Sequence, residues 1–421
     1  MTFSKYLSIT AALTAAVLLS GADKLPDMAR AGDPASQLRL AAEFFSGKNR
    51  PVNLTLAFYW FRKAANSGSG AGQYNLAICL LNGWGCEKNP AAAAYFLKKS
   101  LDSGIVKAAV PYAKMLYHGV EEGEFEELIL KKIAPAPEKA IALLRETTAK
   151  NNDPEAVLLL AKFLFRDVEK YGRELCELLK TYYRSTSQPD PEALVIYAAC
   201  LRSGIGNNIP DPAAGAEVLQ KAVDQKHPEA TAQLAEMYYF GFGVKADRQK
   251  ALKLYTDAVK YGSTRAMTDL GQLKLAGIDL PHDPAGAFEL FTRAAKAGYP
   301  PALRKLGDCY TIGIGTPGNA AKAMECYHQA AQHGDLPATF KLGECYRDGK
   351  NIPQNLYAAF YFFNQAALAG HPASMREAGK ALLNGKGTEK DQSRGLDLLR
   401  RAAADGDPEA SALLRGEISA F

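Results

Sequence analysis

Residues 299–334 read YPPALRKLGDCYTIGIGTPGNAAKAMECYHQAAQHG, and this stretch decides the fold. Its first half places Ala302, Leu306 and Tyr310 at intervals of four residues, so that they share one face of a helix. Gly313 then lets the chain turn, because glycine accepts positive φ angles without a steric cost. The second half carries another small and apolar stripe with helical spacing. The stretch therefore predicts a helix, a turn and a second helix.

The same scheme recurs along the whole chain. Each unit opens with a small residue, and the spacings between consecutive ones are 36, 36, 48, 37, 37, 36, 36, 36, 36 and 36. A fixed period in this range is typical of a solenoid, in which each unit buries its apolar face against its neighbours. We therefore expect an all-α, right-handed α-solenoid of about ten helix-turn-helix repeats of 36 residues. The small residues that open the units are Ser36, Gly72, Ala108, Ala156, Ala193, Ala230, Ala266, Ala302, Ala338, Ser374 and Ala410.

The repeated positions follow the pattern A-x3-L-[GA]-x2-Y-x2-G-x-G, continued by K-A-x6-A-A-x2-G. The Leu-Gly step of this pattern is clearest at residues 270–271, 306–307 and 342–343. The pattern resembles that of the Sel-one-like repeat family, a branch of the tetratricopeptide-repeat clan, over roughly residues 31–420. The resemblance implies a helical solenoid and a part in assembling complexes, envelope signalling or contact with a host. Because a fold does not carry a chemistry of its own, it implies no particular partner.

Two departures from the repeat divide the chain. The third unit is 12 residues longer than its neighbours, and its insertion near residues 120–136 is rich in glutamate. Such an insertion is either a loop that contacts a ligand or a surface loop that caps its own repeat. The fourth unit has Asp167 at the position of the turn glycine, and residues 168–172 are expected to replace the turn. We therefore expect N-terminal repeats over residues 31–188 and more regular C-terminal repeats over residues 189–421.

Residues 1–22 stand apart from the repeats. Lys5 precedes an apolar stretch of 14 residues, 6–19, which is too short for a comfortable membrane span. Small residues at 20–22 then allow cleavage after Ala22. These features predict a secretory signal peptide, and hence a secreted or periplasmic protein that has no membrane span once the signal is removed. An uncleaved membrane anchor is the alternative.

Seven cysteines in an exported chain would suggest disulfides. However, Cys79, Cys200, Cys309 and Cys345 all occupy one repeat position, on the inner stripe of a first helix. Buried cysteine behaves as a small hydrophobic residue, so we expect free thiols there. Cys86, beside the turn glycines of its repeat, is the one expected to be reactive, unless it only seals that turn.

Charge and motifs exclude several classes of protein. The formal charge is +5, or +4 without residues 1–22, and no basic tract suits a nucleic acid. The six histidines form no HExxH motif and no CxxC occurs, so no metal site is expected. Nucleophile motifs and phosphate-binding loops are absent, and the G-x-G triplets follow helices rather than strands. We therefore expect neither catalytic residues nor a cofactor.

Binding is the remaining interpretation. First helices of such repeats line the concave surface of a solenoid, and positions outside their apolar stripe point into it. Aromatic and charged residues side by side on that wall suit an extended peptide or a partner helix. Phe240 either belongs to this wall or tucks under the following turn. The expected partner-binding residues are Gln233, Glu236, Tyr239, Phe240, Gln272, Leu275, Arg304, Asp308, Thr311, Ile312, Glu344 and Arg347.

The sequence thus predicts an exported scaffold or adaptor that holds protein or peptide partners on a concave surface. The alternative is a cell-wall-associated enzyme or glycan-binding protein of penicillin-binding type, because some cysteine-rich relatives in the family have been linked to penicillin binding. The absence of a Ser-x-x-Lys motif weighs against the enzyme. A purely structural spacer is a third possibility.

Overall fold

The structure, a computed structural model, describes residues 24–416 apart from 127, 152, 207–208 and 350–351. The predicted signal peptide, residues 1–22, lies outside the described residues. Within them the chain forms helices that alternate in the predicted way, and the expectation of an all-α repeat fold is confirmed.

A short helix, α1 (Leu25–Arg30), precedes ten pairs of helices and one final helix. The first helices of the pairs, with the final helix, are α2 (Pro34–Ser46), α4 (Gly70–Asn82), α6 (Ala109–His118), α8 (Pro154–Phe165), α10 (Pro191–Ser203), α12 (Pro228–Phe240), α14 (Thr264–Ala276), α16 (Pro300–Ile312), α18 (Leu336–Asp348), α20 (Pro372–Asn384) and α22 (Pro408–Arg415). The second helices are α3 (Leu54–Asn66), α5 (Pro90–Asp102), α7 (Pro137–Asn151), α9 (Val168–Ser185), α11 (Pro212–Asp224), α13 (Arg248–Lys260), α15 (Pro284–Lys296), α17 (Ala320–Gln332), α19 (Leu356–Leu368) and α21 (Gln392–Ala404).

The chain divides into two compact units. Unit 1 holds α1 to α9 and most of α10, and unit 2 holds α11 to α22 together with the last turn of α10. The division therefore falls inside α10, whereas the sequence placed the boundary ahead of this helix, between residues 188 and 189. Within each unit, consecutive helices pack in chain order, α2 to α9 in unit 1 and α11 to α22 in unit 2.

The two helices of a repeat approach closely because a small residue faces a large one. In the repeat that opens at Ala302, a Cβ atom added to Gly307 of α16 would lie 2.6 Å from the ring of Tyr327 on α17. The ring therefore fills the space that a side chain would need, and helix axes come closer where such residues meet. The small residues at this position, all buried, are Ala41, Ala77, Ala113, Ala161, Ala198, Ala235, Gly271, Gly307, Gly343 and Gly379.

The second glycine of the turn joins one repeat to the one before. Gly315 has a φ of +66°, and an added Cβ would lie 2.3 Å from the carbonyl oxygen of Pro284, at the start of α15 in the preceding repeat. Only glycine fits here, because the backbone is left-handed and because the carbonyl oxygen leaves no room for a Cβ atom. The same approach occurs at Gly85, Gly243 and Gly387. The G-x-G triplets are therefore turns that lock neighbouring repeats together.

Most first helices begin at a capping side chain. Asp33, Asp153, Asp190 and Asp407, the predicted caps, each accept a hydrogen bond from a backbone N–H in the first turn. His371 does the same with Nδ1, which accepts from the N–H of Ser374 at 3.3 Å, and His227 caps α12 in the same way. The proline that follows the cap costs no hydrogen bond at this position.

The insertion of the third unit corrects one expectation. It is not a loop that caps its own repeat but a hairpin of two antiparallel strands, β1 (Gly123–Phe125) and β2 (Leu128–Leu130), packed on α5 of the preceding repeat. The ring of Phe125 meets that of Phe96 edge to face at 5.6 Å, and Asn89 donates to the carbonyl oxygen of Glu124 at 2.7 Å. Burial of Phe125 and Leu130 holds the hairpin in place.

The structure of the fourth unit also differs from its sequence prediction. Residues 168–172 do not replace the turn, because they form the first turn and a half of α9, and Asp167 caps this helix by accepting from the N–H of Lys170. The helix is longer than the other second helices as a result. Gly172 allows a close approach of the next turn, where an added Cβ would lie 2.8 Å from Ile205.

All seven cysteines are free thiols. Five are buried, and Cys345, expected on the inner stripe, is half-buried. Cys86 is also half-buried, and burial raises the pKa of its thiol. A raised pKa lowers the thiolate fraction and with it the reactivity. The structure therefore favours the interpretation that Cys86 seals the turn, where it packs against the core of unit 1.

We predict that Gly307→Ala destabilises the protein by about 1–2 kcal/mol, since the new methyl group displaces the ring of Tyr327 and this overpacking outweighs the gain in helix propensity. Chemical unfolding monitored by circular dichroism measures the change. Gly318→Ala in the same repeat is the control, because a Cβ there makes only an ordinary contact of 3.5 Å. Equal stability of the two variants would show that the glycine does not set the helix spacing.

We also predict that acid weakens the cap of α20. Burial lowers the pKa of His371 from 6.5, with Asp335 and Asp407 opposing this shift and Arg376 adding to it. The neutral ring therefore stabilises the fold above about pH 6.5, and this contribution is lost as the pH falls through the lowered pKa. The variant His371→Asn keeps an acceptor that does not titrate. Between about pH 7 and pH 5, the unfolding free energy of the wild type should fall relative to that of the variant; a constant difference would contradict the prediction.

Candidate functional site

The twelve predicted partner-binding residues lie on α12, α14, α16 and α18, all in unit 2. None of them belongs to the fully buried residues of these helices, although Tyr239 and Leu275 pack against the core, and we call the surface that they form the first-helix face. Four of them are exposed, namely Phe240, Gln272, Thr311 and Ile312. The other eight are half-buried, namely Gln233, Glu236, Tyr239, Leu275, Arg304, Asp308, Glu344 and Arg347.

Within unit 2 some consecutive first helices contact each other directly, α12 with α14 and α14 with α16. In the described part of unit 2, consecutive second helices do not approach each other to the same extent. Residues on the first helices of these neighbouring repeats therefore lie side by side, and the twelve residues stay a predicted binding surface.

A single arginine gathers three carboxylates on this surface. Arg265 of α14 lies 3.2 Å from Glu229 and 2.6 Å from Glu236, both on α12, and 3.7 Å from Asp269 on its own helix. Burial raises the pKa of Asp269 to about 6, although Arg265 lowers it and the other two carboxylates raise it. Glu236, a predicted binding residue, therefore forms an ion pair between neighbouring repeats.

A second network runs from α18 to α22. Arg347 lies 2.7 Å from Asp348 and 2.9 Å from Glu377 of the next first helix. Arg376 continues the chain of contacts, at 3.2 Å from Glu377 and 2.6 Å from Asp407, the cap of α22. Pairs that are partly buried, as these are, are costly to break on one side only, because a charge is then left without its partner.

Arg304 and Asp308 of α16 are also engaged within the protein. Arg304 donates to Asp335 at 2.9 Å, and the same carboxylate caps α18 by accepting from the N–H of Ala338 at 2.7 Å. Asp308 accepts at 2.8 Å from the hydroxyl of Tyr327, the ring that covers Gly307. Arg304 therefore joins its repeat to the next one, whereas Asp308 joins the two helices of its own repeat.

Tyr239 and Phe240 behave differently although they are neighbours. The hydroxyl of Tyr239 donates to Asp279 of the next repeat at 2.9 Å, and Arg248 stacks 5.4 Å from its ring. Asp279 stands where other repeats have the second turn glycine, and its φ is +63°. Phe240 is 72% exposed, so the alternative that it tucks under the following turn is wrong.

The exposed apolar side chains of this region cluster at one end of the first helices. Phe240 and Ile312 end α12 and α16, with 72% and 73% of their surface exposed. Phe242 and Ile278 occupy the turns that follow α12 and α14 and are also exposed. We call these four residues the apolar rim. Since the charges of the first-helix face largely pair with each other, the rim is where this face has large apolar side chains left to bury.

Sequence reasoning overlooked Arg265 and Asp279. Arg265 follows Glu229 by one period of 36 residues, so opposite charges stand at the same position of successive repeats. That alternation is a usable signal for an ion pair between repeats. Asp279 in place of a turn glycine gives a similar signal, because aspartate tolerates a left-handed backbone better than most residues.

Two other kinds of site were sought in the described residues. No group of His, Cys, Asp or Glu side chains there could hold a metal ion. None of the helices in the described ranges is long and apolar enough to cross a bilayer.

Comparison with known proteins supplies the family. A sequence model of the Sel1 repeat matches seven segments that together make up more than half of the chain. The matched segments are residues 34–69, 70–105, 228–260, 264–299, 300–335, 336–371 and 372–407.

Solved structures of repeat proteins are similar in fold. A protective antigen present in uropathogenic Escherichia coli strains, which displays an SLR fold, is 25% identical with a TM-score of 0.53, over 93% of this chain and 81% of that one. A Sel1 repeat protein from Oxalobacter formigenes is 25% identical with a TM-score of 0.51, over 59% of this chain and 99% of that one.

An uncharacterized protein of Neisseria meningitidis serogroup B is 24% identical over 254 residues, which are 52% of this chain. The match spans half of the length of that relative.

We predict that Tyr239→Phe lowers the unfolding free energy by about 0.5–1.5 kcal/mol, because Asp279 loses a hydrogen bond that helps to hold its left-handed turn. Chemical denaturation gives the value. Tyr357→Phe is the matched control, since that ring is 77% exposed on α19. A Tyr239→Phe variant as stable as the control would mean that the contact does not stabilise the turn.

Proposed function

We propose that this chain, which belongs to the Sel1 repeat family, is an exported scaffold that holds a protein or peptide partner on the first-helix face of unit 2. Sel1 repeats, like tetratricopeptide-like repeats, mediate interactions between proteins, and solenoids of this family are generally not catalytic. Family membership therefore supports binding as the general activity. Export from the cytoplasm, and the use of the first-helix face as the binding surface, are the parts that we propose.

The apolar rim is the observation that carries the proposal. Phe240 and Ile312 are large, about three-quarters exposed, and placed at the ends of α12 and α16. Isolated exposed apolar residues are common, but four at the same end of neighbouring first helices offer a partner several apolar contacts. Aromatic side chains in particular contribute much of the binding energy at protein interfaces.

The paired charges beside the rim give the surface its pattern. Arg265 on α14 and Arg347 on α18 each form an ion pair with a carboxylate of a neighbouring first helix. A partner that lies along this face meets apolar contacts flanked by polar groups already held in position. Such preorganised polar groups add specificity more than affinity.

Export is proposed from residues 1–22, which have the charge, apolar stretch and small residues of a signal peptide. The similar protein of uropathogenic Escherichia coli is a protective antigen, and this supports a location where the immune system meets the protein. Neither observation identifies the partner.

Partner capture tests the binding surface. The wild type, the rim variant Phe240→Ala/Ile312→Ala and the control Tyr357→Ala/Leu368→Ala are each used to capture proteins from the native envelope fraction. The control removes side chains with similar exposure, 77% and 71%, from α19 of the same unit. We expect a partner that is retained by the wild type and the control but bound about tenfold more weakly by the rim variant when purified. Equal retention by all three proteins would place the binding surface elsewhere.

Export is tested separately. The protein from its native host should begin at residue 23, after cleavage behind Ala22, and should be found outside the cytoplasm. N-terminal sequencing after cell fractionation gives the answer. A chain that begins at Met1 in the cytosol would contradict this part of the proposal and leave the binding surface to stand or fall on its own test.

A further inference from the structure

Unit 1 contains an open cleft of about 670 Å³ that the proposed function does not use. It lies between the start of α5, the end of α6 and the first residues of the insertion. Its walls are largely apolar and include Pro90, Ala91, Met115 and Val120. A cleft of this size and lining accommodates one or two apolar side chains.

Basic side chains line the part of this cleft that lies next to the start of α5 and the end of α6. Lys88, Lys114 and His118 line it, and all three are exposed. Among the described residues, no carboxylate lies within 4.0 Å of the ammonium group of Lys88 or Lys114. These lysines therefore keep their charge available to a ligand, in contrast to the paired arginines of unit 2.

Acidic residues also reach the cleft, on the side of the insertion. Glu121 and Glu122 line it, and Glu121 accepts a hydrogen bond from Lys132 at 2.8 Å. Lys132 thus offsets one of these two charges. With Lys88 and Lys114 on the opposite side, the cleft has one side that is basic without an acidic partner.

We propose that this cleft, with Lys88, Lys114 and His118 on the side of the two helices, binds an acidic segment of a partner protein. An apolar side chain of the segment enters the cleft, and flanking aspartate or glutamate side chains meet the two lysines. Charge complementarity of this kind directs association and selects the partner. The site is in unit 1, apart from the apolar rim, so that either site can fail without the other.

Fluorescence anisotropy with the full chain tests the proposal. The probe is a labelled eight-residue peptide of alternating glutamate and leucine, and the comparison peptide alternates lysine and leucine. The acidic peptide should bind, and the basic one should not. Added salt should weaken binding, because exposed charges are screened.

Charge-reversal variants locate the site. Lys88→Glu/Lys114→Glu should weaken binding of the acidic peptide about tenfold or more. The control Lys139→Glu/Lys253→Glu makes the same change of net charge at two exposed lysines on second helices and should bind as the wild type does. All the substituted lysines are exposed, and thermal melts confirm that each variant is folded.

Several results would overturn the proposal. They are failure of the acidic peptide to bind, equal weakening by both charge-reversal variants, and tighter binding of a single-stranded oligonucleotide or of phosphatidylglycerol vesicles. Equal weakening would show attraction to overall charge rather than to the cleft. Preference for the oligonucleotide or the vesicles would assign the basic surface to another class of partner.

Discussion

Contact between a small residue on the first helix and a large one on the second determines how each repeat is built. Where Gly307 meets Tyr327, or Gly343 meets Phe363, the ring occupies the volume of the missing side chain. Ala takes the place of Gly in the earlier repeats. The small residue lets the two helices of a pair approach closely, and successive pairs stack in chain order. This stacking brings surface residues one period apart next to each other.

Register between repeats explains why many predicted binding residues also stabilise the fold. Arg265, Arg304 and Arg347 each reach a carboxylate in a neighbouring repeat. Such contacts tie one layer of the stack to the next, in addition to the turn glycines that touch the preceding repeat. The charged part of the first-helix face is thereby largely neutralised by the protein itself. A partner has most to gain from the apolar side chains that remain exposed.

The two units present different surfaces on the same fold. Unit 2 combines paired charges with the apolar rim, whereas unit 1 has unpaired lysines around an apolar cleft. The buried stripe of the helices is alike in both units, so the two surfaces differ only at positions outside that stripe. The insertion in unit 1 is a further difference, because Val120 and Gly123 complete the cleft. Repeat folds acquire separate binding sites in this way without changing their cores.

The sequence alone determined the repeat, its helices and its buried positions, because these depend on spacing within about 36 residues and on small residues that recur there. It did not determine the hairpin, the unbroken start of α9, or the partners of Tyr239 and Arg304, nor which side chains stay exposed. Those depend on atoms that lie about thirty or more residues apart in the chain and are brought within hydrogen-bond distance only by stacking. Only the tertiary structure sets these distances, because a small change in the separation of the helices would break each contact while leaving the sequence pattern unaltered.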